Sequence, residues 1–143
     1  MFRALFAAAV ATAAVAAVVY FDASADILPQ LNFLTEVANF NARLGLPLGG
    51  NSLWITHGVI GIVLFGLSFA FLQPVLPGGA VSEGISFGFL TWLAMMMVFM
   101  PLSGHEIFAQ DLGPLAAVAA LGLNLVYGIV LGVATAVFSG NSH

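Results

Sequence analysis

Four long apolar runs separated by short polar turns set the pattern of this chain. They cover residues 4–21, 52–72, 85–102 and 115–138, and none contains a charged side chain. A helix rises about 1.5 Å per residue, so each run comes close to spanning or spans a hydrocarbon layer about 30 Å thick. The pattern predicts an all-α membrane protein with four transmembrane helices in one domain, residues 1–143. Pro and Gly punctuate it: Gln73-Pro74 to Gly78-Gly79 turns the chain, Pro101 ends the third run, and Gly113-Pro114 precedes the fourth.

The first run is alanine-rich, which lets a neighbouring helix approach closely. Arg3, the apolar stretch and Ala23-Ser24-Ala25 also resemble a secretory signal with its cleavage site. The apolar stretch exceeds the usual ~7–15 residues of such signals, so a retained helix is expected. Between the first two runs, residues 22–50 are the most polar part. Pro29 suits a first helical position, Leu31, Leu34, Val37, Ala38 and Leu44 recur at helical spacing, and Glu36, Asn39 and Arg43 fall opposite. Gly45 is a natural stop. This predicts a short amphipathic helix on the membrane or capping the bundle.

The runs also repeat. Pro47 and Pro114 each precede a polar residue by ten positions, His57 and Asn124, and each of these is followed four positions later by Gly-Ile-Val-Leu. Spans one and two thus correspond to spans three and four, and the first connector carries about a dozen extra residues, enough for the amphipathic helix. Each unit has an even number of spans, so the expected architecture is two parallel-related helical hairpins about an axis along the membrane normal. Arg3 points to cytoplasmic termini, with the two longer connectors outside.

Composition sharpens this reading. The chain is 62% hydrophobic and 6% charged, with a mean hydropathy of +1.12. Soluble domains carry about 25% charged residues, so lipid must cover the exterior. Two arginines against six acids exclude a nucleic-acid interface. The absence of cysteine excludes disulfides, thiolate metal sites and cysteine nucleophiles. No hydrolytic triad or phosphate loop is present, and no enzymatic activity is expected.

Few residues can carry chemistry. His57 lies about one turn inside the second run, where a polar ring must face the bundle or a cavity. It suits either a helix–helix hydrogen bond, as Asn124 does in the second unit, or a ligand for haem or a metal. His105 and Glu106 lie in the last connector, where Ser103-Gly-His-Glu106 fits a capping box. A metal site from His57, His105 and an acid such as Glu106, Asp111 or Glu36 is conceivable, without any signature spacing. Met96 and Met100 share a helix face, a spacing open to Cu(I) but more typical of packing. Gly84-x-x-x-Gly88 and Gly128-x-x-x-Gly132, with Gly61 and Asn124, mark close helix packing.

The segment 54–137 resembles small, uncharacterised bacterial inner-membrane proteins with four spans, related to YagU-like families of unknown function. The resemblance rests on His57-x-x-x-Gly61 with Leu64 and Gly66, Gly88-x-x-x-Trp92-Leu93-x-Met95-Met96, Met100-Pro101-Leu102-x-Gly104, Leu112-Gly113-Pro114 and Gly128-x-x-Leu131-Gly132. It implies a histidine where this chain has Asn124, which weakens a bis-histidine haem. The leading expectation is an accessory subunit packing by its glycine faces against a larger respiratory or photosynthetic membrane complex, or against itself. Haem b or metal binding through His57 and His105 comes second, and a small transporter third.

Overall fold

The computed structural model describes residues 2–25, 33–49 and 51–140. Helix α1 runs Phe2–Ala25, α2 Phe33–Leu44, α3 Ser52–Val75, α4 Ala80–Leu102 and α5 Pro114–Gly140. A 3-10 helix, Ile107–Leu112, precedes α5. Among the described residues all regular structure is helical. Helices α1, α3, α4 and α5 are long and apolar enough to cross a membrane. The all-α membrane fold expected from the apolar runs is therefore the observed one.

Helix α5 lies at the centre, against α4 on one side and α1 on the other, and α1 also packs on α3. Alanine allows the α1 contacts: Ala7, Ala8 and Ala11 are completely buried, and a side chain that stops at Cβ loses no rotamer freedom on packing. Between α4 and α5 the spacer is glycine. A Cβ at Gly84 would meet the Gly128 carbonyl oxygen, and one at Gly88 would stand 2.5 Å from the Asn124 carbonyl oxygen. Backbone thus packs on backbone over two turns of each helix, the short-range contact that holds helices together where lipid removes the hydrophobic drive. Phe69, Phe87 and Leu131 fill the inner core, with Phe69 and Phe87 tilted edge-on at 5.2 Å. Trp92 Nε1 donates to the Ala117 carbonyl at 2.9 Å, pinning α4 to α5 further along.

Much apolar surface faces outward. Phe71 is 83% exposed, and Phe2, Phe6, Val75 and Val118 are similarly open. In water such a surface would associate; in a bilayer it is the lipid contact.

Several boundaries differ from the sequence expectation. Helix α4 begins at Ala80 rather than at residue 85, because Gly79 starts it and Glu83 is accommodated in the first turn. Gln73 Nε2 donates to Glu83 Oε2 at 2.9 Å across the α3–α4 turn, and an acid is favourable at a helix N-terminus. Helices α1, α3 and α5 also run a few residues past the apolar runs, since helical hydrogen bonding continues beyond the last apolar residue. Helix α2 ends where Gly45 enters the left-handed region, φ +72°, as a C-terminal glycine should. Its expected start at Pro29, with Leu31, lies outside the described residues, as does His143.

Candidate functional site

Two structures of interest lie toward the end of the bundle that carries α2: a cavity between the helices and a charged cap above it. The cavity has a volume of about 260 Å³. Its walls come from α1 (Thr12, Val15), α3 (His57, Gly61), α4 (Met95, Phe99) and α5 (Asn124, Tyr127). Val37 of α2 adds to the lining.

The cavity exists partly because two helices are locally unwound around it. Val59–Leu64 of α3 and Met95–Phe99 of α4 are π-helical turns, and both contribute to its wall. A π turn carries an extra residue per turn, which widens the helix and redirects carbonyls. Gly61 shows the consequence, with its carbonyl accepting a hydrogen bond from the Tyr127 hydroxyl at 2.6 Å. Pro101 is a local cause for the second turn, since it has no N–H for the Met97 carbonyl and its ring crowds that carbonyl; Val59–Leu64 has no such residue nearby.

Polar atoms are few in this wall. Thr91 Oγ1 lies 2.8 Å from Asn124 Oδ1, and Asn124 Nδ2 donates to the Ala120 carbonyl at 2.8 Å and approaches the Met95 thioether at 3.4 Å. The His57 ring lies against the Thr12 main chain and edge-on to Trp54, centroids 6.0 Å apart. Its Nε2 and Thr12 Oγ1 are both enclosed by protein. The Thr12 hydroxyl sits against Gly61, where a Cβ would strike it, and within hydrogen-bonding reach of the Tyr127 hydroxyl.

The cap is built on His105. Its Nδ1 lies 2.6 Å from Asp111 Oδ2, and its Nε2 stands 2.6 Å from Glu36 Oε2 of α2. The Glu36 oxygen sits off the ring's hydrogen-bonding direction, so this second contact is an ion pair rather than an aligned hydrogen bond. Asp111 Oδ1 accepts the Glu106 backbone N–H at 2.9 Å, closing the 3-10 turn. Ser103 Oγ reaches the Glu36 carbonyl at 3.4 Å. Phe40 of α2 stacks on Phe99 at 4.4 Å, and Arg43 fits over Gly104, whose φ of +97° and lack of Cβ leave it room.

Electrostatics follow from this arrangement. Burial raises the Glu36 pKa, and the His105 charge only partly offsets that. Burial alone would lower His105, but the Asp111 hydrogen bond and the Glu36 charge outweigh it, and its pKa lies above the ordinary imidazole value. The His105 hydrogen bond, with the Glu106 N–H, holds Asp111 below the usual carboxylate range.

Three sequence expectations are corrected here. Glu36 was placed on the outward polar face of the amphipathic helix; it is buried, because His105 gives it a counter-charge. The capping box from Ser103 to Glu106 is absent. Glu106 itself begins the 3-10 helix in an extended conformation without a side-chain cap, and Asp111 supplies the carboxylate for its N–H instead. The candidates His57, His105 and Glu106 are not brought together. His57 lines the cavity, His105 lies in the cap, and Glu106 is exposed. Among the described residues no three His, Asp or Glu side chains are arranged to hold a metal ion. Both ring nitrogens of His105 already face carboxylates. Gly61, Gly84, Gly88, Asn124, Gly128 and Gly132 all lie at contacts between helices. Met96 and Met100 are fully buried against Ala116 and Ala120. Sequence reading missed Thr12 and Tyr127, which complete the polar surroundings of His57; a lone threonine or tyrosine in an apolar run carries no distinguishing pattern.

No curated protein and no solved structure matches the chain. The chain belongs to a family described as a family of unknown function (DUF6789), whose model matches residues 1–143.

Proposed function

We propose that this member of DUF6789 is a non-enzymatic membrane protein that holds a lipid-soluble ligand in the cavity beside His57. The observation that carries this reading is the cavity of about 260 Å³ among four helices, whose wall is apolar apart from Thr12, His57, Asn124 and Tyr127. Leu64 and Val98 both line the cavity and are more than half exposed on the outer surface. We infer that a ligand would enter from the bilayer between them.

The accessory-subunit reading rested on thin glycine faces. Gly84, Gly88, Gly128 and Gly132 are occupied by each other's helices, and Gly61 and Gly66 by α1. The paired glycine motifs are thus spent inside the bundle, and single open positions such as Gly58 and Gly122 are what is left for a partner subunit, so the ligand reading draws more support. Haem fits poorly. No cationic side chain other than His57 itself lines the cavity to meet propionates, and the Met95 thioether is already engaged by Asn124. We place the protein in a bacterial inner membrane with both termini cytoplasmic, in line with its resemblance to YagU-like proteins and with Arg3.

The test is extraction of the protein purified in mild detergent, followed by mass spectrometry. One lipid-soluble compound should accompany the wild type in near-stoichiometric amount and be absent from Val98→Trp, which blocks the route without entering the inner core. Identical extracts from both proteins would overturn the reading.

A further inference from the structure

We propose that α2 is a lid over the cavity, held shut by the charged chain Glu36–His105–Asp111, so that protonation of His105 governs access to the cavity from the aqueous face of the membrane. As a control on a ligand site this rests on the reading of the cavity given above, and it adds how that site is opened and closed.

The lid is defined by two contacts with the cavity wall. Val37 of α2 is buried and lines the cavity directly. Phe99 of α4 also lines it and carries Phe40 of α2 stacked on its ring at 4.4 Å. Helix α2 thus supplies one part of the wall and covers another. It lies outside the four spans. Three consecutive residues just past α4 hold it: Ser103 meets the Glu36 carbonyl, Gly104 seats Arg43, and His105 meets the Glu36 carboxylate. Glu36 directly precedes Val37, so a movement that carries Glu36 into water also withdraws Val37 from the wall.

The latch depends on charge because of how His105 is placed. Both its ring nitrogens face carboxylate oxygens at 2.6 Å, Nδ1 that of Asp111 and Nε2 that of Glu36. A neutral imidazole has one N–H and can serve only one of them; the imidazolium has two and a positive charge. Only the charged ring therefore holds both acids. The two acids respond differently when it is lost. The Asp111 side chain is 35% exposed and keeps the Glu106 N–H. The Glu36 side chain is 5% exposed, and its carboxylate is left buried against a neutral ring, a costly state relieved by moving out to water. The other charged groups on the described elements around the ring are Arg43, seated over Gly104, and Glu106, which is exposed.

The chain has no cysteine, so a single introduced thiol reports access. Val15→Cys places one on the α1 wall of the cavity, and Leu123→Cys places one on the α5 wall. In lipid nanodiscs a charged thiosulfonate cannot use the side opening, because hydrocarbon excludes ions; it reaches either thiol only past α2. At about pH 6, modification of Val15→Cys should be slow, and adding Glu36→Gln should speed it about tenfold, the loss of one charge-assisted contact. At about pH 9 the two proteins should react at similar rates, because the imidazolium is gone. Comparing one thiol in both proteins at each pH removes the thiol's own titration. His105→Gln should match Glu36→Gln, and Leu123→Cys should reproduce the pattern; helical circular dichroism equal to wild type shows that each variant is folded. Equal rates with and without Glu36→Gln at about pH 6 in both cysteine positions would overturn the lid. The thiol reads the cavity whether or not a ligand fills it. A gated thiol with no compound extracted from the native protein would overturn the ligand reading and keep the lid; an extracted compound with an ungated thiol would do the reverse.

Discussion

The contact between α4 and α5 predicts a sharp contrast between two glycines on the same helix. Gly128→Ala adds one methyl group that meets the Gly84 carbonyl oxygen and stands 3.0 Å from Gly88 Cα. All of these are backbone atoms and cannot rotate away. Ordinary contact begins near 3.4 Å, so the helices must separate by about half an ångström to an ångström. Overpacking of this kind costs about 1–3 kcal/mol, and the upper end applies because no side chain can absorb it. Gly122→Ala, less than two turns earlier, meets nothing within 4 Å. There alanine's helix propensity should be neutral to stabilising, by up to about 1 kcal/mol. Unfolding in a mixed-detergent titration would read both, with Trp92 as reporter because its indole bonds to Ala117 across the same contact. The expected outcome is a lower midpoint and an earlier Trp92 change for Gly128→Ala, with Gly122→Ala at or above wild type. Equal midpoints for the two variants would refute the close backbone contact.

Other consequences follow from the cap. His105 has a raised pKa, so its contribution is fully present below the ordinary imidazole value and is lost as pH rises through its own. Glu36, also raised, acts in the same sense: the folded state holds its proton more tightly than the unfolded chain, so stability falls as pH rises from the ordinary carboxylate value through its own. Asp111 is depressed, and its contribution is lost only as pH falls through its own low value. The α2 cap should therefore be tightest in mildly acidic solution and loosen toward alkaline pH. Alkylation of Val37→Cys, normalised to the exposed position in Ala42→Cys, should accelerate as pH rises; a flat ratio would remove the ion pair from the account. Glu36→Gln should flatten the same profile and leave the α4–α5 contact untouched, as read by Trp92. Tyr127→Phe removes the hydrogen bond to Gly61 and should cost about 1 kcal/mol, measured as a lower unfolding midpoint; an unchanged midpoint would show that the Gly61 carbonyl is satisfied otherwise.

Much of the architecture was legible because lipid imposes a simple rule: long charge-free runs must be helices. The four runs, the glycine spacing and the Gly45 stop all follow from local sequence and appear in the structure. The site was less legible because it is made by convergence. His57 was visible as a polar ring in an apolar run, but Thr12 comes from a helix 45 residues earlier, and its hydroxyl looks unremarkable among alanines. Glu36 was misplaced because helical periodicity assigns acids to the outside, and only the distant His105 makes burial tolerable. The π turn at Val59–Leu64 escaped because no residue within it disturbs a helix, and the one at Met95–Phe99 was signalled only by Pro101, which leaves the Met97 carbonyl without a helical donor.

The central claim is that the cavity beside His57 holds a lipid-soluble ligand. Mass spectrometry of the protein purified from native membranes in mild detergent tests it directly. One lipid-soluble compound should accompany the wild type in near-stoichiometric amount and be lost from Val98→Trp. A wild-type extract with no compound enriched over bulk lipid would contradict the account.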